Sequence, residues 1–264
     1  MKQPYKSIAD AHVAPRDYVQ AFAKGLEIIR AFDAMHPRMT LTEVAAQTGF
    51  TPAATRRFLL TLVKERYALF DGKYFALAPR ALDLGYAYLS SEGIWNGVEM
   101  ALKDVSHQTG ESCSGAVLDG DEVVYVARAA ASKIMTVNLR VGSRLPAFYT
   151  SMGRVLLAYL PGMAAEGLLA KAKLKRFTQR TVTDSTALAA IIKRVRVNGY
   201  ALVNQELELG LISIAVPLRD RDGRVTTAIN VSTHVSRSSP QHLISSVLPV
   251  LQQAVQALSM ERSR

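Results

Sequence analysis

The sequence predicts an α+β protein with two parts joined by a helix. Three observations carry that prediction. Residues 17–78 read as helix, helix, turn, helix, hairpin. Beyond Gly97, apolar runs alternate with Asp-Gly pairs and amphipathic segments, the pattern of an antiparallel sheet with flanking helices. The chain also carries 32 Lys and Arg against 22 Asp and Glu, a formal net charge of +10, which favours a polyanionic partner such as nucleic acid or an acidic membrane surface. The predicted division is an arm over 1–16, a winged helix-turn-helix over 17–78, a linker helix over 79–95 and an α+β part over 96–260.

The first 17 residues lack an apolar stretch and read as a flexible arm rather than a secretory signal. No run approaches eighteen apolar residues, so no membrane span is expected. A single cysteine, Cys113, excludes an intramolecular disulfide, and a cytoplasmic location is expected. The five histidines form no ligand pair, so neither a metal nor a cofactor is expected.

In YVQAFAKGLEIIRAFDAM, residues 18–35, the apolar positions Val19, Phe22, Leu26, Ile29 and Phe32 recur at helical spacing. HPRM breaks the pattern. In LTEVAAQ, Thr40 is placed as N-cap with Glu43 three residues on, a capping box, and Gly49 supplies the turn that follows. Thr51 then reads as the next N-cap with Pro52 at the first helical position. That helix, about 52–65, is expected to bury Phe58, Leu59, Leu62 and Val63 and to turn Ala53, Thr55, Arg56 and Arg57 outward. In YALFDGKYFALAP, two short apolar runs flank Asp71-Gly72, a strong hairpin signal. Two short helices at a steep angle, the second basic, with a hairpin beside them, match the geometry of a winged helix-turn-helix. Thr42, Thr51, Pro52, Ala53, Thr55, Arg56 and Arg57 are therefore the residues expected at the major groove or its phosphates, with Lys73 and Tyr74 on the wing against adjacent backbone. The competing reading is a plain helix pair whose arginines form a solvated face.

PRALDLGYAYLSSEGIW, residues 79–95, opens with Pro79 and continues helically with apolar residues on several faces, which suggests a partner helix and a homo-oligomer. VEMALKDVSHQTG reads as an amphipathic helix ending at Gly110. SCSGAVLDGDEVVYVARA reads as two strands around Asp119-Gly120, and KIMTVNLRVGSRLPAF as a strand and a loop. Helices are expected in TSMGRVLLAYLP and at about 163–170, 185–198 and 240–260. GYALVNQEL and ISIAVPLRDRDGRVTTAINVST supply three more strands, two of them around Asp222-Gly223.

Ser151-Met152-Gly153 follows Tyr149-Thr150 at a strand-to-helix junction, where free amides suit an anion; a plain N-cap is the alternative. Asn230 and Ser232 lie two apart on one face of a strand, and Ser213 enters another apolar strand. Together they suit a pocket lining, and singly each suits a satisfied core position. Five basic residues in KAKLKRFTQR, Lys171, Lys173, Lys175, Arg176 and Arg180, read as a solvated loop before a phosphate contact. Cys113 reads as a buried structural thiol. No Gly-x-Ser-x-Gly elbow and no Gly-rich phosphate loop is present, so enzymatic chemistry is not expected.

The pieces FAKGLEIIRAF, MTLTEVAAQTGFTPAATRRFLLTL, YTSMGRVLLAYLP, GYALVNQELELGLISIAVPL and DGRVTTAINVS resemble, in order and spacing over about 18–258, the IclR family of bacterial transcription regulators. RDYVQAFAKGLEIIRAFD, LDLGYAYLSS, TGESCSGAVLDGDEVVYVAR and LPAFYTSMGRVLLA resemble the branch that controls protocatechuate, p-hydroxybenzoate and β-ketoadipate breakdown. The resemblance implies a GAF-like C-terminal effector domain, dimers or tetramers, a double-stranded operator and a small organic-acid effector, aromatic or dicarboxylic. It implies an effector pocket framed by Ser151-Met152-Gly153 and by Val203, Ser213, Asn230 and Ser232. Members with a small keto-acid effector carry an acid at the position of Val203 and a cysteine at that of Ser213. An apolar Val203 suits a larger, partly aromatic ligand. Many members read Asp-Glu where this chain has Asn204-Gln205. A carboxylate needs donors once water is excluded. Arg128, Arg144 and Arg154 are the candidates, with Arg128 and Arg144 favoured. The alternatives are a regulator answering to a different organic acid, a small-molecule enzyme fused to a DNA-binding head, and a structural basic DNA binder whose pocket takes no ligand.

Overall fold

A computed structural model describes residues 14–91, 95–131 and 139–261. Most of the expected arm and the expected strand of KIMTVN lie outside these residues; Pro15–Asp17 form a short 3-10 turn. The chain divides into two compact units, 1–92 and 93–264.

In the first unit, α1 (Gln20–Arg30) packs through its C-terminal end, burying Ile28, with Ala31 and Phe32 just beyond. The helix read from the spacing forms, while Val19, Phe22 and Leu26 lie exposed, Phe22 at 69%, because the rest of the unit covers only the last turns of the helix. HPRM breaks the helical pattern as read. It contains a strand, β1 (Arg38–Thr40), which an apolar count over three residues could not reveal. The capping box of α2 (Leu41–Thr48) forms as expected: Thr40 N donates to Glu43 Oε2 at 2.7 Å and Glu43 N to Thr40 Oγ1 at 3.3 Å. Gly49 ends α2 at φ +71°, the left-handed conformation that glycine adopts freely. α3 (Pro52–Lys64) starts from Thr51, whose Oγ1 accepts from Ala54 N.

β2 (Ala68–Phe70) and β3 (Tyr74–Leu77) form the hairpin, and β1 adds to it as a third strand in the order β1-β3-β2. Asp71 Oδ1 ties the turn by accepting from Lys73 N at 2.9 Å and Tyr74 N at 2.7 Å. The core is Ile28, Phe32, Met39, Val44, Leu59 and Phe75. A 3-10 turn at Pro79–Ala81 leads into α4 (Leu82–Ser91).

The second unit opens with α5 (Trp95–Thr109) and builds a six-stranded antiparallel sheet from β4 (Ser112–Asp119), β5 (Glu122–Ala129), β6 (Arg144–Pro146), β7 (Ala201–Asn204), β8 (Leu211–Arg219) and β9 (Val225–His234). The strand order is β6-β5-β4-β9-β8-β7. β4 and β5 meet around Asp119-Gly120, and β8 and β9 around Asp222-Gly223.

α6 (Ser151–Ala158) packs against the sheet, and all eight of its residues are buried. α8 (Ser185–Asn198) packs on α6, and α7 (Ala164–Lys171) on α8. α5 also lies on the sheet, packed beside α10 (Leu248–Glu261), which follows α9 (Pro240–His242) and a π-helical stretch at Leu243–Val247. Cys113 is buried in β4, where desolvation pushes its thiol far above the ordinary range, so it is an inert packing group. No helix among the described residues is long and apolar enough to cross a membrane.

Candidate functional site

The first candidate surface is the outer side of α2 and α3. Thr42, Thr51, Pro52, Ala53, Arg56 and Arg57 are exposed, and neither arginine has a carboxylate partner among the described residues. Thr55 is a correction. It is fully buried, and its Oγ1 has no hydrogen-bond partner. Helical spacing explains this: Thr55 stands three, four and seven residues before Phe58, Leu59 and Leu62, so it shares their core-facing side. On the wing, Lys73 is exposed and Tyr74 half-buried beneath two cations, Lys73 and Arg38.

The second candidate is a cavity in the second unit, about 40 Å³ in volume. Strand register supplies its polar floor. Val203, Ser213, Ser232 and Ser112 form one row across β7, β8, β9 and β4. Two residues along, Ala215, Asn230, Ser114 and Arg128 form the next row across β8, β9, β4 and β5. Rows two residues apart face the same side of a sheet. Of the residues named from the sequence, Arg128, Tyr149, Thr150, Ser151, Val203, Ser213, Asn230 and Ser232 line the cavity.

Three do not. Met152 is fully buried in the core cluster. Gly153 packs so tightly that a Cβ there would run into the backbone carbonyl of Ala147. Its amide is taken by the N-cap Thr150 Oγ1 at 3.1 Å. Arg144 is the main correction. It starts an edge strand, exposed, with its Nε donating to Glu122 Oε2 and its Nη2 to Asp119 Oδ2, both at 2.7 Å. Those contacts raise its pKa further and leave it turned toward the sheet edge.

Two buried polar atoms in the cavity wall, Ser151 Oγ and Asn230 Oδ1, have no hydrogen-bond partner. Such atoms cost about 1–3 kcal/mol each when left unmatched, so the wall is complementary to a polar ligand. Asn230 Nδ2 donates to Ser232 Oγ at 2.9 Å. Arg128 is half-buried and makes one weak bond, Nη1 to Ser114 Oγ at 3.3 Å; no carboxylate pairs with it among the described residues. Tyr125 stands beside it, its hydroxyl pushed up to about 12 by burial and partly drawn back by the Arg128 charge. Leu139, Leu145, Leu207 and Leu211 complete an apolar remainder.

Sequence reasoning missed Glu206. Its carboxylate takes Arg154 Nη1 at 2.7 Å and Nη2 at 2.6 Å, a bidentate pair, and Val182 N at 3.3 Å. Arg154 also donates Nε to Phe148 O at 2.9 Å. Each of the three guanidinium nitrogens of Arg154 is thus engaged, and the residue does not line the cavity. The legible signal was an arginine inside the otherwise apolar SMGRVLLAYL, since a buried cation requires a buried acid. The five basic residues of 171–180 are exposed, as expected of a solvated loop. Among the described residues no cluster of His, Cys, Asp and Glu is disposed to hold a metal ion.

A buried cavity with unmatched polar groups in one unit and a winged helix-turn-helix in the other define the class of ligand-responsive DNA-binding regulators. The comparisons agree. Residues 21–72 match the IclR helix-turn-helix domain, and residues 86–260 match the bacterial transcriptional regulator IclR C-terminal domain. The chain belongs to the IclR family of transcriptional regulators. It is 42% identical to the Pca regulon regulatory protein of Pseudomonas putida over 94% of this chain and 85% of that one. A transcriptional regulator structure from Rhodococcus sp. RHA1 is 44% identical, with a TM-score of 0.83 over 93% of this chain and 99% of that one. The inducer-binding domain of an Acinetobacter PobR double mutant, solved with 3-hydroxybenzoic acid, is 36% identical, with a TM-score of 0.57 over 61% of this chain and 94% of that one.

Proposed function

We propose that the protein regulates an aromatic-acid catabolic operon by binding a hydroxylated aromatic carboxylate in the cavity beside α6. One observation carries the reading: a half-buried Arg128 without a carboxylate partner among the described residues faces the same cavity as the unpartnered Ser151 Oγ and Asn230 Oδ1. Arg128 is the carboxylate anchor. Tyr125, Leu145, Val203 and Leu207 hold the ring, and Ser151 and Asn230 take its hydroxyl. The aromatic acid bound by the PobR domain and the pathway in the name of the Pseudomonas relative support this ligand class.

Ligand pockets for small organic molecules are typically about 300 Å³ or more, against 40 Å³ here. Binding therefore requires the cavity to expand, so the ligand selects a different placement of α6 against β7–β9. A ligand that binds the two placements unequally shifts their populations, and that is the free energy available for regulation. Residues 17–78 serve as the DNA-binding domain, 79–95 as the linker that transmits the shift, and 96–260 as the sensor. The uncovered apolar residues of α1 and of α4, Phe22, Leu26, Leu82 and Tyr86 among them, suit burial in a homodimer.

Calorimetric titration with 4-hydroxybenzoate, protocatechuate and β-ketoadipate tests the reading. Arg128→Met is expected to weaken aromatic-acid binding by about ten- to a hundredfold, the worth of a charged hydrogen bond in a buried site. Arg144→Met is expected to change it little. Undiminished binding by Arg128→Met would remove the proposed anchor, and binding of none of the three acids would remove the ligand class.

A further inference from the structure

On the wing, alternation along the strands sorts the side chains. Met39 and Phe75 are buried, while Arg38 and Tyr74 occupy the outer face of neighbouring strands, with Thr40 opposite Tyr74 and Arg38 opposite Ala76. The Arg38 guanidinium lies 4.6 Å from the centroid of the Tyr74 ring. The Lys73 ammonium lies 5.1 Å from the same centroid. One aromatic ring thus holds two cations at the hairpin tip.

The fold gives little reason for that arrangement. Like charges sharing one ring repel, and no ion pair holds Arg38 among the described residues. Two carboxylates are near, and each has one oxygen bonded within its own turn. Asp71 Oδ1 accepts the amides of Lys73 and Tyr74. Glu43 Oε2 accepts from Thr40 N and Oγ1. Arg38 acts on Asp71, and Lys73 and His36 act on Glu43, at longer range. An arginine laid on a ring has already lost much of its side-chain freedom, so it meets a fixed anion at low entropic cost.

We infer that Arg38 is a DNA-backbone contact, pre-ordered by Tyr74 to grip a phosphate next to the one met by Lys73. The inference rests on the DNA-binding assignment and adds a residue from a strand that the sequence did not disclose. Tyr74 is the platform that positions the cation, not a base reader.

The test uses the full chain and a duplex that the protein itself selects from a random library, with a scrambled duplex as control. Fluorescence anisotropy is recorded over a series of salt concentrations. Arg38→Ala is expected to weaken binding about five- to tenfold on both duplexes and to make the plot of log affinity against log salt shallower by about one per DNA-binding head. Tyr74→Ala removes the ring that orders Arg38 and is expected to reproduce much of the Arg38→Ala loss. Arg38→Lys keeps the charge and is expected to retain the salt slope, which guards against a variant that merely folds poorly. An unchanged slope in Arg38→Ala would overturn the contact. A loss confined to the selected duplex would make Arg38 a base reader and overturn the phosphate assignment. If the parent protein selects no duplex, the DNA-binding assignment fails, and this inference with it.

Discussion

Replacing Glu206 by Ala isolates the interaction that joins α6 to the segment after β7. Arg154 is 2% exposed and Glu206 11%, and two parallel hydrogen bonds of 2.7 and 2.6 Å link them. Water cannot take over from the carboxylate at that depth. The substitution strands a buried cation and leaves Val182 N without its acceptor. Breaking one side of such a pair costs about 3–5 kcal/mol. At about 2–4 °C per kcal/mol for a domain of this size, the melting temperature should fall by roughly 6–20 °C in differential scanning calorimetry. The mirror change, Arg154→Leu, strands the acid and should cost a similar amount. The double variant Arg154→Leu/Glu206→Leu strands neither, and should lie well above the sum of the two losses. A loss under about 1 kcal/mol for Glu206→Ala, or strict additivity in the double variant, would refute the claim that the pair bonds the two walls of the cavity.

Two further predictions concern the first unit. Thr55→Val removes the unpartnered buried hydroxyl and should stabilise the protein by about 1 kcal/mol in urea unfolding while leaving DNA affinity unchanged; weakened DNA binding would show that Thr55 faces the groove after all. Asp33, Glu43 and Asp71 all titrate below their ordinary values, held down chiefly by the backbone amides of His36, Thr40 and Tyr74 respectively. A folded value below the unfolded one means that their stabilisation is present above about pH 4 and disappears as pH falls through the folded values. Carboxyl-carbon NMR titration should place the Asp71 midpoint below about 3.9, and a midpoint at or above that figure would contradict the turn geometry.

The sequence by itself determined what rests on local chemistry. The capping box at Thr40 and Glu43, the Thr51-Pro52 start and the Asp-Gly turns are short-range patterns, and all formed where their spacing placed them. Period-two logic likewise put Asn230 and Ser232 on one face. Tertiary structure decided everything that depends on which side of an element is covered. Thr55 and Arg56 are adjacent, and the sequence turned both outward, yet Thr55 is fully buried and Arg56 exposed, because the core meets only one side of α3. Arg128, Arg144 and Arg154 were all candidates from the sequence, with Arg128 and Arg144 favoured. They parted only when Asp119 and Glu122, then Glu206, arrived from distant parts of the chain and engaged two of them. A charge advertises its chemistry in the sequence, but its availability depends on long-range partners, and those are set by strand order and register rather than by any local pattern.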